Sequence, residues 1–550
     1  MALNSRRRQN WASAAEPAFF SPFALVLIAG LVAIFFWQAA SMRAAAGPFH
    51  VWHTLDASYY YLFDALNIAN GFAPGHIAHP GLTTQLYGAF LLALLGEAGS
   101  PEAVLGNPEA TLRLMSSGIL LLVALAYLIA LVSAWGSVRR LWAVILIGLT
   151  PFISMVSLKM IWHVKPEPFL VLVMLLAAGL ILPGLRDPGF FRRKGFALGL
   201  GLLSGLLVAT KLTAAPLLLA FLIIVPGVLN RFLLMGASLV AGALVAWPVW
   251  PVAGELVEYA LRVLLHASAH GGGAATVIDW DRYPNAFVGL IRRPVVLLPI
   301  LLGFATSLWA WWRFAQGRDV HTGALRVAFA GALALLVMVA FVAKQPVAYY
   351  MVPAFGLGLL TLVAVTRLIA SFGWGGDGLR RTMSGLLSLG FLVLVGVQGG
   401  AAAKQRVEDA NAAREALAHH DGRFEACRAV FVYGASDPRY ALLLASRLTG
   451  DHFADLVEAR VGAETLWLDD YYPFEDDAVR RAGGLGNLET AFSATPCLVL
   501  EGFPWRSGLK TLWAPVHGDR EPDGDCSTAV TRVQTFGVDC TGRPIPISPK

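Results

Sequence analysis

The sequence predicts an all-α polytopic membrane protein of about 11 transmembrane helices, followed by a small α/β domain outside the cytoplasm. Three observations predict it. Of 550 residues, 57% are hydrophobic and only 14% charged. Apolar runs long enough to cross a roughly 30 Å hydrocarbon core recur through the first 400 or so residues. All four cysteines, Cys427, Cys497, Cys526 and Cys540, fall in the remainder. The apolar balance excludes a soluble enzyme for most of the chain, and it excludes disorder, a collagen-like repeat and a disulfide miniprotein. The charge sum of 42 Lys+Arg against 36 Asp+Glu is +6. These basic residues form short clusters between apolar runs, not one stripe, so no nucleic-acid partner is expected and a bilayer is.

The first run, about 20–40, follows Arg6, Arg7 and Arg8 and precedes Arg43 and Ala44 to Ala46. It is too long for a signal-peptide core and reads as an anchored helix. Further crossings are expected near 112–134, 141–157, 168–183, 195–209, 214–229, 233–250, 294–311, 327–343, 350–368 and 383–398. The weaker run 79–95 reads as a helix lying against the membrane face. Counting Lys and Arg in alternate loops gives roughly sixteen on the N-terminal side and nine on the other, which predicts a cytoplasmic N-terminus. An odd number of crossings then places everything after about Ala403 outside, where disulfides persist, in agreement with the cysteines. Four cysteines allow three pairings, and all three stay open. The predicted units are thus a multispan domain over 1–403 and an extracytoplasmic domain over 404–550. Within the latter, Ala429 to Tyr433 and Cys497 to Leu500 read as strands. Asp437-Pro438 reads as a helix start before the amphipathic segment Tyr440 to Leu448. The segment Leu468 to Tyr472 is aromatic and acidic, fitting an exposed loop or a sugar-binding surface.

The residues that carry chemistry gather in the loops on the outer side. The first, about 41–109, holds Asp56, Tyr59, Tyr60, Tyr61 and Asp64, then His79-Pro80-Gly81. A carboxylate at a water interface near low-dielectric material tends to a raised pKa and suits a general base, which marks Asp56. The plainer meaning is a solvated Asp beside an interfacial tyrosine belt. The second loop packs Lys159, His163, Lys165 and Glu167 into ten residues at a helix boundary. Glu167 is a partner for Lys165, a positioner of an acceptor, or a ligand for a divalent ion; snorkelling charges are the bland account. Lys211 stands alone between two apolar runs and should seek an anion, such as a phosphate at the membrane surface. The loop 251–293 holds His266, His270, three glycines, Asp279, Asp281, Arg282, Arg292 and Arg293. His266 and His270 would share a helix face, but no HExxH accompanies them, and no G-x-S-x-G elbow supports a hydrolase. Lys344 is a second outward cation, and Tyr349 and Tyr350 read mainly as interfacial anchors. Gly199, Gly201 and Gly205 have the wrong spacing for a dinucleotide turn. Neither a Walker lysine nor a CxxC pair occurs.

The ordered set resembles the type C (GT-C) glycosyltransferases, multispan enzymes that use polyprenyl-phosphate sugars. The matching pieces are Asp56 with Tyr59 and Tyr60, His79 to Gly81, Gly205-Leu206 with Lys211, and Tyr349-Tyr350 with Pro353. Protein O-mannosyltransferases and the aminoarabinose transferases of lipid A are the nearest families, and the likeness covers about 20–398. It implies transfer of a sugar to a lipid, glycan or protein acceptor on the periplasmic face of a bacterial-type inner membrane. Asp56 becomes the base and Lys211 the donor-phosphate ligand, assisted by Lys344 or by Arg292 and Arg293. Glu167 corresponds to the family's second-loop acid. Lys165, His163, His79, His270 and Tyr349 complete the expected site. Ala57 stands where many members carry a second acid. That departure weakens the case for a divalent cation in the first loop, and no other cofactor is implied. The competing class is a transporter or glycolipid flippase, which also carries many spans and intramembrane charges; no repeated halves are visible here.

Overall fold

The computed structural model describes residues 21–51, 58–77, 81–266, 274–372, 377–418, 422–432, 434–462, 465–469, 478–481, 484–485, 497–502, 522–527 and 532–545. It is mostly helical, at 73%, with a small sheet in the C-terminal region. Seven helices among the described residues are long and apolar enough to cross a membrane. They are Pro22–Ala46, Pro108–Val138, Pro166–Arg186, Val228–Val245, Pro294–Ala315, Thr322–Val342 and Ala348–Ser371.

Four other segments expected to cross have a different local form. Lys194–Thr210 and Leu212–Ile224 are apolar but shorter. The run 141–157 is broken into Leu141–Gly148 and Met155–Met160. Pro151 cannot donate to an ongoing helix, and the Gly148 carbonyl instead accepts from Tyr127 Oη at 2.6 Å. The run 383–398 lies within one helix of 41 residues, Asp377–Leu417. At 1.5 Å per residue this helix is roughly 60 Å long, about twice a hydrocarbon core. The run 79–95, expected as a helix lying against the membrane face, is helical over Leu82–Leu95, with Phe90 and Leu94 exposed.

Packing follows small residues. Lys194–Thr210 and Val228–Val245 lie against each other through Gly201 and Gly205. A Cβ on either would meet the carbonyl oxygen of Leu234 or Ser238 at 2.4 Å. Two of the three glycines that fail as a nucleotide turn, Gly201 and Gly205, are therefore a close-approach stripe between helices. The polar half of Asp377–Leu417 is tied to the first helix and to the second loop. Arg406 Nη1 donates to Ser41 Oγ at 2.8 Å, and Asp409 Oδ1 accepts from Lys159 Nζ at 3.1 Å and Gln405 Nε2 at 2.9 Å.

The C-terminal sheet comprises β1 (Arg428–Phe431), β2 (Leu466–Asp469), β3 (Ala478–Arg481), β4 (Gly484–Leu485), β5 (Leu498–Gly502), β6 (Gly524–Asp525) and β7 (Arg532–Phe536), in the order β4-β3-β2-β1-β5-β7-β6. Central β1 runs parallel to β2 and β5, and the flanking pairs are antiparallel. The helix after β1 starts at Pro438, and the Asp437 side chain caps it by accepting from the Arg439 amide at 2.7 Å. Cys427 pairs with Cys497 immediately before the central strands β1 and β5, and Cys526, just after edge strand β6, pairs with Cys540. Leu466 and Trp467 of β2 are buried; of the aromatic and acidic segment, Leu468 and Asp469 end β2 and residues 470–472 lie outside the described residues.

This domain seats on the first long connection. Asn67 Nδ2 donates to the Thr449 carbonyl at 2.8 Å, and the ring of Phe72 stacks on His452 with centroids 4.3 Å apart. Gly75 is so close that a Cβ there would meet the Thr449 backbone at 2.4 Å.

Candidate functional site

Lys211 ends the helix Lys194–Thr210 by turning to extended backbone, φ −161°. Its side chain is buried, and its Nζ lies 2.6 Å from Glu167 Oε1. Glu167 stands in the first turn of Pro166–Ile181, where Pro166 pre-sets the helix and the dipole favours a carboxylate. The ammonium also lies 4.7 Å from the ring centre of Tyr349 and 4.6 Å from that of Tyr350, both in the turn Ala348–Met351. Two aromatic faces and one carboxylate thus surround a lysine taken out of water, the arrangement that offsets the cost of burying its charge.

The first long connection reaches the residue beside Lys211 at one point and carries a separate polar cluster of its own. Thr83 Oγ1 and Thr210 Oγ1 are 2.8 Å apart, one residue before Lys211. The ring of Phe49 lies 5.9 Å from that of Trp162, which stacks on His163 at 3.7 Å. Ser116 Oγ donates to the Trp162 carbonyl at 2.5 Å. Glu109 gathers both flanks of the segment 52–57: it accepts from the amides of Phe49 and His50 on one side and from Tyr59 Oη at 3.1 Å on the other. His50 Nδ1 is 3.1 Å from the same carboxylate. Burial, and then the nearby Glu109, raise the Tyr59 phenol well above its ordinary pKa, so it stays a donor.

A second buried carboxylate, Asp64, organises the turn after helix Tyr59–Ala69. Its Oδ1 accepts from the Gly75 and His76 amides at 2.9 and 3.3 Å, and its Oδ2 from Gln85 Nε2 at 2.7 Å. Burial pushes its pKa up to about 7, against the pull of those three donors. The His76 ring meets Tyr60 and Tyr61 edge to face, with centroids at 5.3 and 5.9 Å.

Several expectations are corrected by this geometry. Tyr59, Tyr60 and Tyr61 are buried in the core, not spread as an interfacial belt, because helix Tyr59–Ala69 is covered by the C-terminal domain and by Leu82–Leu95. Glu167 pairs with Lys211, not with its neighbour Lys165, which is itself buried at the helix start. Tyr349 and Tyr350 face Lys211, where their rings do more than anchor an interface. Lys344 donates to the Leu264 carbonyl, and burial lowers its pKa. Arg292 is exposed and Arg293 half-buried, at the junction of Tyr283–Ile291 with Pro294–Ala315. His163 is buried under Trp162. Asp56, His79 and His270 lie outside the described residues. Among the described residues no three His, Cys, Asp or Glu side chains gather as a metal site.

Sequence reasoning passed over Glu109, His50, Gln85 and Asp409. Glu109 follows Pro108 at a helix start, a position where an acid is ordinary, so nothing local marks its four contacts. Asp409 sits on the polar stretch of a long helix, and its partner Lys159 is 250 residues away. Comparison with protein-family models, curated proteins and solved structures returned no match.

Proposed function

We propose that this chain is an integral membrane glycosyltransferase that moves a sugar from a polyprenyl-phosphate donor to a lipid, glycan or protein hydroxyl. In this reading it crosses the membrane about 11 times, with the four shorter or composite apolar segments added to the seven long helices and the C-terminal domain on the periplasmic side. The observation that supports it best is convergence. Glu167 of the second loop and Tyr349 and Tyr350 of a late turn meet around the buried Lys211 ammonium, and Thr83 of the first connection pairs with Thr210, the residue before that lysine.

The chemistry needs little more. A polyprenyl phosphate leaves as a stable anion, so the demands are an acceptor oxygen freed of its proton and a cation beside the departing phosphate. Asp56 takes the acceptor proton; the oxygen then attacks the anomeric carbon from the face opposite the phosphate, and the bond from that carbon to the phosphate oxygen breaks with inversion. Lys211 has three N–H donors, of which one goes to Glu167. Glu167 holds the lysine aimed, and the phosphate joins that pair as a second anion. Tyr349 and Tyr350 limit water around it.

A transporter or flippase would also hold a buried lysine–carboxylate pair in its bundle. The test that separates them is transfer of label from a panel of radiolabelled polyprenyl-phosphate sugars by the purified protein in lipid. The expected result is transfer by the native chain and its loss in Asp56→Asn with folding intact. Full transfer in Asp56→Asn removes the mechanism, and absence of transfer across the panel, with movement of the donor across the bilayer, favours the flippase.

A further inference from the structure

The loop after Val228–Val245 carries an apolar surface that the proposed chemistry does not use. Helix Ala253–Leu265 has no fully buried residue. At about 100° per residue, Glu255, Glu258 and Arg262 share an arc of roughly 60°, and every remaining large side chain is apolar or Tyr. Leu256, Tyr259 and Val263 are half-buried against the protein. Beside them, Val257, Leu261, Leu264 and Leu265 form a second stripe that is 39–57% exposed.

What covers this stripe is indicated by its surroundings. The preceding helix Val228–Val245 is the least buried of the seven long apolar helices, with Leu229, Phe232, Leu239, Val240 and Leu244 exposed. That outward apolar surface continues through exposed Trp247 and Trp250 into the stripe. Exposed tryptophans at the end of a crossing helix are the usual mark of the headgroup level. The Leu264 carbonyl accepts from Lys344, which closes Thr322–Val342, so the far end of the amphipathic helix is held at the end of another crossing helix.

We propose that Ala253–Leu265 lies flat in the lipid interface, its Val257–Leu261–Leu264–Leu265 stripe among the acyl chains and Glu255, Glu258 and Arg262 in water. This needs only that the bundle crosses a bilayer, and it stands or falls separately from the transferase reading. The surface belongs to the same side of the bundle as Lys344 and the Tyr349–Tyr350 turn.

The experiment uses the full chain reconstituted in proteoliposomes. All four native cysteines are paired, so a cysteine introduced at Leu261 or at Glu258 is the one thiol that takes an environment-sensitive fluorophore. Both positions are exposed, which spares the packing, and Val257→Cys serves as a second reporter of the apolar stripe. Labels at 261 and 257 are expected to be quenched several-fold more by a lipid carrying a shallow nitroxide than the label at 258, and iodide in the buffer to give the reverse order. Adding Leu264→Glu is expected to lower lipid quenching at 261. Equal quenching by iodide at 261 and 258 places the helix in water and overturns the proposal. Protection of 261 from both quenchers overturns it as well, by placing protein or a second copy over the stripe.

Discussion

At the scale of single residues, the account depends on charges taken out of water together. Removing one member of the Lys211–Glu167 pair leaves the other buried and uncompensated, which costs about 3–5 kcal/mol. Lys211→Ala and Glu167→Ala are each expected to lower the midpoint of thermal unfolding in detergent strongly. The double variant Lys211→Met/Glu167→Leu is expected to recover most of the loss, because a pair of apolar side chains fills the same space with no charge to solvate. Equal and additive losses would show that the two groups do not act as a pair. Asp64 gives a second prediction through pH. Its folded pKa of about 7 lies above the unfolded value of 3.8, so the native state holds a proton that the unfolded chain has released between those limits. Stability is therefore fully present below about pH 4, falls as pH rises to about 7, and is flat beyond. Asp64→Asn is expected to lose that slope, measured as the unfolding midpoint against pH. Gln85 Oε1, buried and without a partner among the described residues, can accept the bound proton after its amide turns over.

At the scale of elements, span-length helices were legible because length and hydropathy alone decide them, as at Pro108–Val138 and Thr322–Val342. The broken form of the run 141–157 was not legible, because composition does not record that Pro151 and a captured Gly148 carbonyl end its first helix. Lys211 was legible as a lone cation in an apolar stretch. Its partners were not, since Glu167 lies 44 residues away and the tyrosines further still. In the C-terminal domain the Asp437-Pro438 cap and the two central strands followed local rules, whereas the disulfide pairing was not legible, because Cys427 and Cys497 meet only through the side-by-side placement of β1 and β5. The seating of that domain is testable at its tightest point. Gly75→Ala would drive a methyl group into the Thr449 backbone and is expected to loosen the domain, as is Asn67→Ala, which removes a buried hydrogen bond worth about 1 kcal/mol. Limited proteolysis near 418–422 is the readout; unchanged cleavage would mean that the contact does not hold the domain in place.

At the scale of the whole molecule, two devices join a helical bundle to a small sheet. One is the 41-residue helix Asp377–Leu417, anchored by Arg406 and Asp409. The other is the direct seat of the C-terminal domain on the first connection. Cys427–Cys497 closes a separation of 70 residues, for which the chain-entropy account gives about 4 kcal/mol. Cys427→Ser/Cys497→Ser is expected to unfold the domain at lower denaturant while leaving the bundle's helical signal intact. The central claim is that one buried lysine receives a lipid-borne phosphate while a separate carboxylate takes the acceptor proton. The direct measurement is binding of a polyprenyl phosphate to the native chain, to Asp56→Asn and to Lys211→Met/Glu167→Leu, each shown to be folded. The account predicts unchanged binding in Asp56→Asn and at least a tenfold weaker Kd in the paired variant, about 1.4 kcal/mol. Native affinity in the paired variant would contradict it.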